Sequence, residues 1–378
     1  MRLPARVRLV SVLTVLMCGS NVDAGAQVLA QFSFEEDADV DAWRSHAADA
    51  KLTITRDPAN VRVGTGALQL SYEPAQEAYF IIETGVLDVA GAQSLCFCVK
   101  CSETTPLLYG VAEEDGSSYD GFLQCAPNEW VDVQVNLADL QLREDSDDEN
   151  EALDADQIRS LLFFDLSNLP GDVGRALGWK QGPQAMWLDN VVISADAAPS
   201  RSRIRDVGGG QRQVVLDDFE SGLAFGLAIG GAHLAIVREA GGHFLRIRYG
   251  AVAEQWQGFV FGVGHVGLTG LQRVSLRAKA TQTARLGVVL EERDGSKYEF
   301  MLDLQAGDWQ EYALPVTGFA PDPGTIDENE ALDPDQLRVM ILLVDTFDSD
   351  VGADGTAEVS VDDLTAVCGS ATRMLGAP

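Results

Sequence analysis

The feature that most constrains the fold is an internal repeat with a constant spacing of 179 residues. The stretch Asp148–Asp154 (DENEALD) recurs as Asp327–Asp333. The same spacing joins three further pairs: Asp115–Ser117 with Asp294–Ser296, Tyr119 with Tyr298, and Trp130 with Trp309. Chance does not hold one spacing across separated motifs, so the chain contains two copies of one unit. Each copy spans roughly 155–170 residues, the size of a single domain rather than of a short solenoid repeat.

Within each copy the hydrophobic pattern is that of β-strands. Leu286, Val288 and Leu290 alternate with their neighbours, which is typical of half-buried strands. The repeated Asp-Gly-Ser segments predict hairpin turns, in which Gly supplies the positive φ. Residues 161–164 and 339–344 are apolar on both faces and predict central strands. We therefore expect an all-β chain of two tandem antiparallel β-sandwich domains of the jelly-roll kind.

Residues 1–26 have the pattern of a secretory signal peptide. Three arginines precede a short apolar run, and small residues follow up to Ala24-Gly25-Ala26. The apolar run is too short to span a membrane stably, and no later segment has the length and apolarity of a membrane helix. We expect cleavage after Ala26 and a secreted or periplasmic protein, with a lipoprotein anchor at Cys18 as the alternative.

The charge of the chain is strongly negative. Its 27 Lys and Arg stand against 58 Asp and Glu, a net charge of −31. Removing residues 1–26 takes away three Arg and one Asp and deepens the charge to −33. Such a charge repels phosphate backbones and anionic membranes, which argues against nucleic acid as a partner. Because 46 % of the residues are hydrophobic, the chain still has ample material for a core.

The expected domains are a first jelly roll over residues 27–196 and a second over 214–368, with a flexible tail at 369–378. Between the two, residues 197–213 (AAPSRSRIRDVGGGQRQ) combine three consecutive glycines with four arginines. Glycine makes a chain segment flexible, so we expect a solvated linker. The alternative is that this basic stretch docks on an acidic domain surface.

Several motifs of the two units together resemble one superfamily. Each unit opens on Phe-Glu (Phe34-Glu35, Phe219-Glu220) and closes on an aliphatic residue with Asp (Leu188-Asp189, Val361-Asp362). A Gly-x-Leu-x-[Leu/Ile]-x-Tyr strand and a Glu-x-Asp-Gly-Ser-x-Tyr turn lie between them. Over nearly all of both units, the chain resembles the galactose-binding-like jelly rolls. It is similar notably to family-11-type carbohydrate-binding modules and to the complex-I intermediate-associated domain family. The first unit departs from the pattern, because its opening segment lacks the family's aspartates.

The resemblance implies a structural calcium ion between the opening Glu and the closing Asp. The implied ligands are Glu35 with Asp189 in the first unit and Glu220 with Asp362 in the second. Calcium takes six to eight oxygen ligands, which carboxylates and backbone carbonyls supply. The alternative is that these are edge-strand carboxylates facing water. Because the first unit departs from the opening motif, we expect the second unit to be the better calcium site.

Strand alternation sorts the side chains of the second unit into inward and outward sets. With Leu276, Val288 and Leu302 inward, the outward set contains an arginine and several carboxylates. The expected glycan-binding residues are Trp256, Ser275, Arg277, Glu291, Glu299 and Asp303. Each sugar hydroxyl donates and accepts, so mixed Arg and carboxylate suit a polyol, and a Trp offers a platform for its ring. The alternative is an ordinary solvated sheet surface.

The first unit has lost these charges. Its aligned positions are Cys96, Cys98, Lys100, Ala112, Asp120, Phe122 and Gln124. We therefore expect the second unit to be the better binder of a polysaccharide or other glycan.

The cysteines of the mature chain are odd in number. They are Cys96, Cys98, Cys101, Cys125 and Cys368, so one thiol should be free or paired between molecules. Cys101 and Cys125 align with Ala280 and Leu304, which indicates neighbouring positions and a disulfide. The alternative is a soft metal held by the first three cysteines, which the oxidising compartment and the lack of a nearby His argue against.

Two further motifs are misleading. The glycines of 262–267 match the dinucleotide fingerprint, but a strand follows them instead of the helix that the mechanism needs, so we expect a loop. The acidic loops at 145–156 and 327–335 lack the Gly that an EF-hand has at its sixth position. Helix capping by Asp333, with Pro334 at the first helical position, explains these aspartates better. An adventitious calcium ion in these loops is the alternative.

Catalysis has no support in the sequence. The four histidines (His46, His233, His243, His265) are scattered, and no catalytic motif is present. We expect a non-catalytic secreted carbohydrate-binding protein whose two modules can raise avidity for a polymer. The alternative is a structural or assembly protein that uses the sandwiches as protein-binding scaffolds. The oligomeric state stays open.

Overall fold

In the described part of the chain the regular secondary structure is almost entirely β-strand, as the sequence predicts. The structure is a computed structural model. It describes residues 27–47, 50–73, 80–143, 145–169, 174, 176–178, 180–200, 203–239, 241–250, 256–327 and 329–369. The described strands form four antiparallel sheets, two in each copy of the repeat. The predicted signal peptide and the tail beyond Gly369 lie outside the described residues.

The first unit is a sandwich of two sheets. Sheet A has the strand order β3-β4-β12-β6-β9, with β1 also paired to β12, and sheet B has the order β10-β8-β7-β11-β5-β2. The strands are β1 Val28–Phe32, β2 Trp43–Ser45, β3 Lys51–Thr55, β4 Ala67–Tyr72, β5 Phe80–Thr84, β6 Ser94–Cys101, β7 Thr105–Glu113, β8 Ser118–Cys125, β9 Val131–Asn136, β10 Gln141–Leu142, β11 Ile158–Asp165 and β12 Gln184–Ser194.

The second unit repeats this sandwich. Sheet C has the order β13-β14-β25-β17-β16, with β19 paired to β25 and β22 to β19, and sheet D has the order β15-β18-β24-β20-β21-β23. The strands are β13 Arg203–Gly208, β14 Gln211–Asp217, β15 Leu227–Ile229, β16 His233–Glu239, β17 Gly242–Gly250, β18 Trp256–Gly262, β19 Leu271–Ala280, β20 Ala284–Glu292, β21 Lys297–Leu304, β22 Gln310–Pro315, β23 Ala320–Pro321, β24 Leu337–Asp345 and β25 Thr356–Cys368.

Each sandwich encloses its own apolar core. The inward alternation predicted for β20 is confirmed, since Leu286, Val288 and Leu290 are fully buried. The hairpins β7–β8 and β20–β21 turn at Gly116 and Gly295, both with positive φ. The apolar strands β11 and β24 are central in their sheets, as predicted.

The acidic loops brace the sandwiches instead of capping helices. Asp333 precedes only a 3-10 turn, Pro334–Gln336, and its side chain makes no capping bond. The aspartate that opens each loop accepts a hydrogen bond from a buried tyrosine, Tyr119 to Asp148 and Tyr298 to Asp327. The prediction that Pro334 begins the turn is confirmed. The prediction that the Asp333 side chain caps it is wrong, because this carboxylate accepts from the Asn329 side chain instead.

The predicted flexible linker is largely a β-hairpin. Strands β13 and β14 pair with each other across Gly208, Gly209 and Gly210, all with positive φ, and β14 pairs with β25 in sheet C. The second sheet therefore begins at residue 203 rather than at 214. The glycine-rich composition of residues 197–213 indicates flexibility. However, β14 pairs with β25, the last strand of the unit, and this pairing holds residues 211–213 in sheet C.

The two units pack against each other through the outer side of sheet B. Leu108, Leu162 and Leu166 of the first unit form an apolar cluster with Leu227 of the second, against which Val260 also packs. Phe225, in the segment that precedes β15, belongs to the core cluster of the first unit. Contacts of apolar side chains thus join the two sandwiches.

Polar contacts extend the junction. Gln141 Oε1 accepts a hydrogen bond from the Gly264 N–H at 3.3 Å, and Gln124 Oε1 accepts one from the Ala228 N–H at 3.1 Å. The glycine string at 262–267 is thus a loop, as predicted, and lies at the junction of the units. No helix in the described part of the chain is long and apolar enough to cross a membrane.

Candidate functional site

The predicted glycan-binding residues of the second unit do not share one surface. Ser275 and Arg277 lie on β19 in sheet C, whereas Glu291, Glu299 and Asp303 lie on β20 and β21 in sheet D. Consecutive strands β19 and β20 belong to opposite sheets, so their outward side chains point away from each other. The single predicted site is therefore corrected to two separate surfaces.

Sheet D brings Trp256 together with a row of charged residues. Trp256 pairs with Asp345 on β24, and Arg285 pairs with Asp303 on β21. The neighbouring pair Leu286–Val344 joins β20 to β24, so that the four residues form one row across the sheet. Trp256 is 41 % exposed, which leaves its ring open to solvent at the edge of this row. We call this row, with the outward residues of β20 and β21 beside it, the Trp256 face; Leu227 and Val260 on the same side of sheet D belong to the junction of the units instead.

Arg285 is the central donor of the Trp256 face. Its Nη1 donates to Asp348 Oδ2 at 2.7 Å, and this bond raises the pKa of the guanidinium. Its Nε is buried and has no hydrogen-bond partner in the described part of the chain. A buried donor without an acceptor costs free energy, so this nitrogen is suited to an incoming oxygen.

The Trp256 face also carries acceptors and apolar surface. Burial, followed by repulsion from Asp322, raises the pKa of Glu299, while Arg285 opposes the shift. Gly287 pairs with Met301 and with Leu343, which places an apolar strip beside the charged row. The surface therefore combines an exposed indole, a free donor, carboxylates and apolar contact area.

The carboxylate of Glu291, which the sequence predicts to bind a glycan, is engaged by cationic side chains of the protein. Its Oε1 accepts from Arg338 Nη2 at 2.9 Å, and its Oε2 lies 3.4 Å from Lys297 Nζ. The carboxylate is thus matched by two protein cations. Glu291 lies on the same face as Trp256, but we expect it to support the surface rather than bind a ligand.

On the opposite side, Arg277 belongs to a stack of cations and rings. Its guanidinium carbon lies 5.1 Å from the Trp309 ring centroid, and Lys279 Nζ lies 4.7 Å from the centroids of both Trp309 and Phe244. Lys279 also contacts Glu239 at 3.3 Å, beside a shallow depression of about 480 Å³. These cations are already matched by rings and carboxylates of the protein.

The corresponding side of the first unit is apolar and covered. At the repeat spacing, Gly287, Met301, Leu343 and Asp345 correspond to Leu108, Phe122, Phe164 and Leu166. These four residues belong to or pack on the cluster that contacts Leu227 and Val260 of the second unit. The outer side of sheet B is thus an internal interface. This interface also covers the part of the outer side of sheet D that carries Leu227 and Val260, and leaves the row around Trp256 outside it.

The implied calcium site of the first unit fits a cation. Burial raises the pKa of Asp189 to about 6, and the nearby Glu35 charge adds to the shift. Asp189 Oδ2 accepts from the backbone N–H groups of Arg62 and Val63 at 2.7 and 2.8 Å, whereas Oδ1 is buried with no partner among the described residues. A Cβ on Gly64 would overlap the Glu35 carboxylate. A buried free carboxylate oxygen beside a second carboxylate is an arrangement that calcium suits.

The implied site of the second unit already contains an arginine and a histidine. Arg277 Nη1 lies 3.5 Å from Asp362 Oδ2, and His243 contacts Glu220 through both its backbone N–H, at 2.9 Å, and its Nδ1, at 3.2 Å. The Arg277 guanidinium thus gives the Asp362 carboxylate the positive charge that a metal ion would otherwise supply. The residues of the second unit fit a calcium ion less well than those of the first.

Both units hold the same unusual backbone at these positions. Phe34 and Phe219, each directly before the opening Glu, have φ values of 57° and 55°; Asn190 and Asp363, each directly after the closing Asp, have 45° and 51°. Bulky residues rarely adopt the left-handed region. The recurrence in both copies indicates that the geometry around the opening and closing motifs is preserved in the fold.

Sequence reasoning missed Arg285, Asp345 and Asp348 of the Trp256 face. The signal for Arg285 was present, because it precedes the inward Leu286 in the same alternating strand. Asp345 follows the apolar run of β24 and faces outward next to the inward Val344. Asp348 lies beyond the strand end, where alternation gives no information.

Comparisons with known proteins gave matches among solved structures alone. No protein-family model and no curated protein sequence matches the chain. Among solved structures, the tandem family-22 carbohydrate-binding modules of Paenibacillus barcinonensis Xyn10C align over 93 % of this chain and 99 % of that chain, with 17 % identity and a TM-score of 0.31.

A family-11 carbohydrate-binding module of a cellulosomal cellulase from Clostridium thermocellum aligns over 44 % of this chain and 96 % of that chain, with 17 % identity and a TM-score of 0.33. An exo-β-agarase aligns over 41 % of this chain and 25 % of its own, with 14 % identity and a TM-score of 0.32.

Proposed function

We propose that the chain is a non-catalytic glycan-binding protein whose second unit binds the sugar at the Trp256 face. The observation that carries the proposal is the row formed by Trp256, Asp345, Arg285 and Asp303, in which Arg285 Nε is buried without a partner. A sugar hydroxyl accepts from such a donor and donates to a neighbouring carboxylate. The exposed indole supplies the flat surface on which a sugar ring stacks.

The charge of this face favours a neutral polysaccharide over an acidic one. Glu299, Asp303, Asp345 and Asp348 surround Arg285, so the charge around this arginine is negative on balance. A uronate or sulfate group brought to it would be repelled by these carboxylates. We therefore propose a neutral glycan as the ligand.

The first unit is proposed to have no glycan site on the equivalent sheet. Its face carries Leu108, Phe122 and Phe164 in place of Gly287, Met301 and Leu343, and these side chains are covered by the second unit. The prediction that the second unit is the better binder is supported on this ground, although not through Arg277.

The binding experiment compares matched variants of the full chain on a panel of soluble neutral polysaccharides by affinity gel electrophoresis and calorimetry. Trp256→Ala and Arg285→Ala should each weaken binding at least tenfold. The controls are Trp309→Ala and Arg277→Ala, which change the same residue types on sheet C. The controls should retain the affinity.

The outcomes separate the alternatives. Loss of binding in the Arg277→Ala control with retention in Arg285→Ala would move the site to sheet C. A chain that binds no glycan, but that captures a defined protein, would support the scaffold alternative. Release of reducing sugar from a bound polysaccharide would contradict the absence of catalysis.

We also propose that the first unit holds calcium through Glu35 and Asp189, with backbone carbonyls completing the ligands. The support is the free buried Oδ1 of Asp189. When bound, the ion would neutralise the two carboxylates and stabilise the opening and closing segments of the sandwich. Export remains a further proposal, for which N-terminal sequencing of the mature protein should give Gln27.

A further inference from the structure

A pair of buried thiols lies in the core of the first unit. Cys101 ends β6 in sheet A and Cys125 ends β8 in sheet B, and both are at most 1 % exposed. The two side chains are hydrogen-bonded to each other. The pair thus connects the ends of two strands that belong to opposite sheets of the sandwich.

The repeat shows that the fold does not require sulfur at these positions. At the spacing of 179 residues, Cys101 and Cys125 correspond to Ala280 and Leu304, which are buried in the core of the second unit. One copy therefore packs apolar side chains where the other has two thiols in contact.

The polar groups around the thiols also belong to the first unit only. Lys180 Nζ donates to Thr105 Oγ1 at 2.6 Å and to Asp165 Oδ2 at 3.0 Å, and Thr105 corresponds to Ala284 in the second unit. The bond to Cys125 is the largest cause that lowers the pKa of Cys101, and the Lys180 charge adds to it against the effect of burial. Contact with Cys101 raises the pKa of Cys125. The two thiols thus lie in contact, with the pKa of Cys101 lowered and the pKa of Cys125 raised. Contact between two thiols is the arrangement from which a disulfide can form.

We propose that Cys101 and Cys125 form a disulfide that joins sheet A to sheet B, with a small-molecule disulfide such as oxidised glutathione as the oxidant. The Cys101 thiolate attacks one sulfur of the oxidant and expels a glutathione thiolate, which leaves a mixed disulfide. The Cys125 thiolate then attacks the Cys101 sulfur and expels the second glutathione. Two electrons pass to the oxidant, and the two thiol protons end on its two released thiols.

Burial sets when this reaction takes place. A glutathione molecule cannot reach sulfurs that are enclosed in the core, so the bond forms while the chain is folding. Once the core is closed, the same burial shields the bond from reduction. Cys98 donates instead to Asp132 on sheet A, and Cys368 lies in the core of the second unit with its thiol toward the Leu268 carbonyl at 3.7 Å.

The test counts thiols in the full chain after refolding in oxidised glutathione or in dithiothreitol. The chain used for the count keeps residues 1–26 and therefore has six cysteines, Cys18 included. In denaturant, the reduced protein should take up six alkyl groups and the oxidised protein four, with peptide mapping placing the link between Cys101 and Cys125. Six alkyl groups on an oxidised protein with native circular dichroism, or a link between any other pair, would overturn the proposal.

A variant designed from the repeat provides the control. Cys101→Ala with Cys125→Leu copies the core of the second unit and should fold equally well with or without the oxidant. The wild-type chain should melt about 5 °C or more higher when oxidised than when reduced, because a cross-link restricts the unfolded chain. Equal melting temperatures of the oxidised and reduced wild type, both carrying six free thiols, would also contradict the bond.

Discussion

Arg277 pairs with Asp362 in the second unit at the position where Cys98 pairs with Asp189 in the first. The guanidinium stands 3.5 Å from the Asp362 carboxylate, whereas the first unit places a neutral thiol on the strand beside Asp189. Because 98 and 277 differ by the repeat spacing of 179 residues, one copy has a built-in cation where the other has none. The two copies should therefore differ in their need for a metal ion.

The first prediction is that calcium stabilises the first unit alone. Adding a chelator should speed hydrogen exchange in residues 62–66, which contact Asp189 and Glu35, and should leave the region around Asp362 unchanged. Asp189→Asn should abolish the response, and Asp362→Asn should retain it. An equal response of both regions to the chelator, measured by mass spectrometry, would contradict the difference between the copies.

A second prediction concerns the pH dependence in the absence of calcium. The pKa of Asp189 is raised to about 6 from an ordinary value of 3.8, so the folded state binds more protons than the unfolded state between these values. Stability should fall as the pH rises from about 4 to 6, by about 3 kcal/mol, and level off above that range. Chemical denaturation at several pH values checks this. Asp189→Asn should remove that part of the slope, and a variant with the wild-type slope would assign it to another group.

A third prediction tests the junction between the units. Leu108 is buried against Leu227, so Leu108→Asp places a charge in an apolar interface and should cost about 3 kcal/mol or separate the units. Small-angle X-ray scattering should show a larger radius of gyration. Ile326→Asp, at a side chain that is 91 % exposed, is the control and should change nothing. A variant as compact and stable as the wild type would show that the interface is not closed.

A fourth prediction concerns the buried ion pair beside the thiols. Lys180 Nζ lies 3.0 Å from Asp165 Oδ2, and both side chains are less than a tenth exposed. Lys180→Met leaves the Asp165 charge uncompensated and should destabilise the protein by about 3 kcal/mol. The double variant with Asp165→Asn should recover part of that loss, as read from urea unfolding. No recovery would indicate that Lys180 acts through packing instead.

The sequence predicted the two-fold repeat, the hairpins and the inward residues of most strands because these depend on local spacing. It did not predict which sheet a strand joins. Arg277 and Glu291 are both outward, yet the chain crosses from sheet C to sheet D between them, so they lie on opposite surfaces. The alternating pattern predicts whether a side chain points into the core or out of it. Which of the two sheets carries the outward side chain depends on the strand topology.

The segment 203–217 shows a second limit of local reasoning. Three consecutive glycines indicate flexibility in isolation, but β14 pairs with the last strand of its unit, about 150 residues later. Likewise, Asp148 and Asp327 lie in loops whose local sequence indicates a helix cap. Each accepts a hydrogen bond from a strand tyrosine 29 residues earlier, Tyr119 and Tyr298, which the local sequence does not reveal. The structure of such segments is determined by contacts between residues that are distant in sequence.

Under the proposed function, the closed face of the first unit has a consequence for how the protein would bind a polysaccharide. Duplication of a binding module commonly multiplies the number of attachment points on one molecule. Here the outer sheet surface of the first copy is buried against the second copy. Each chain would therefore bind a polysaccharide at a single site. Retention on a polysaccharide would then depend on the number of protein molecules bound to it, and not on the avidity of two binding sites within one molecule.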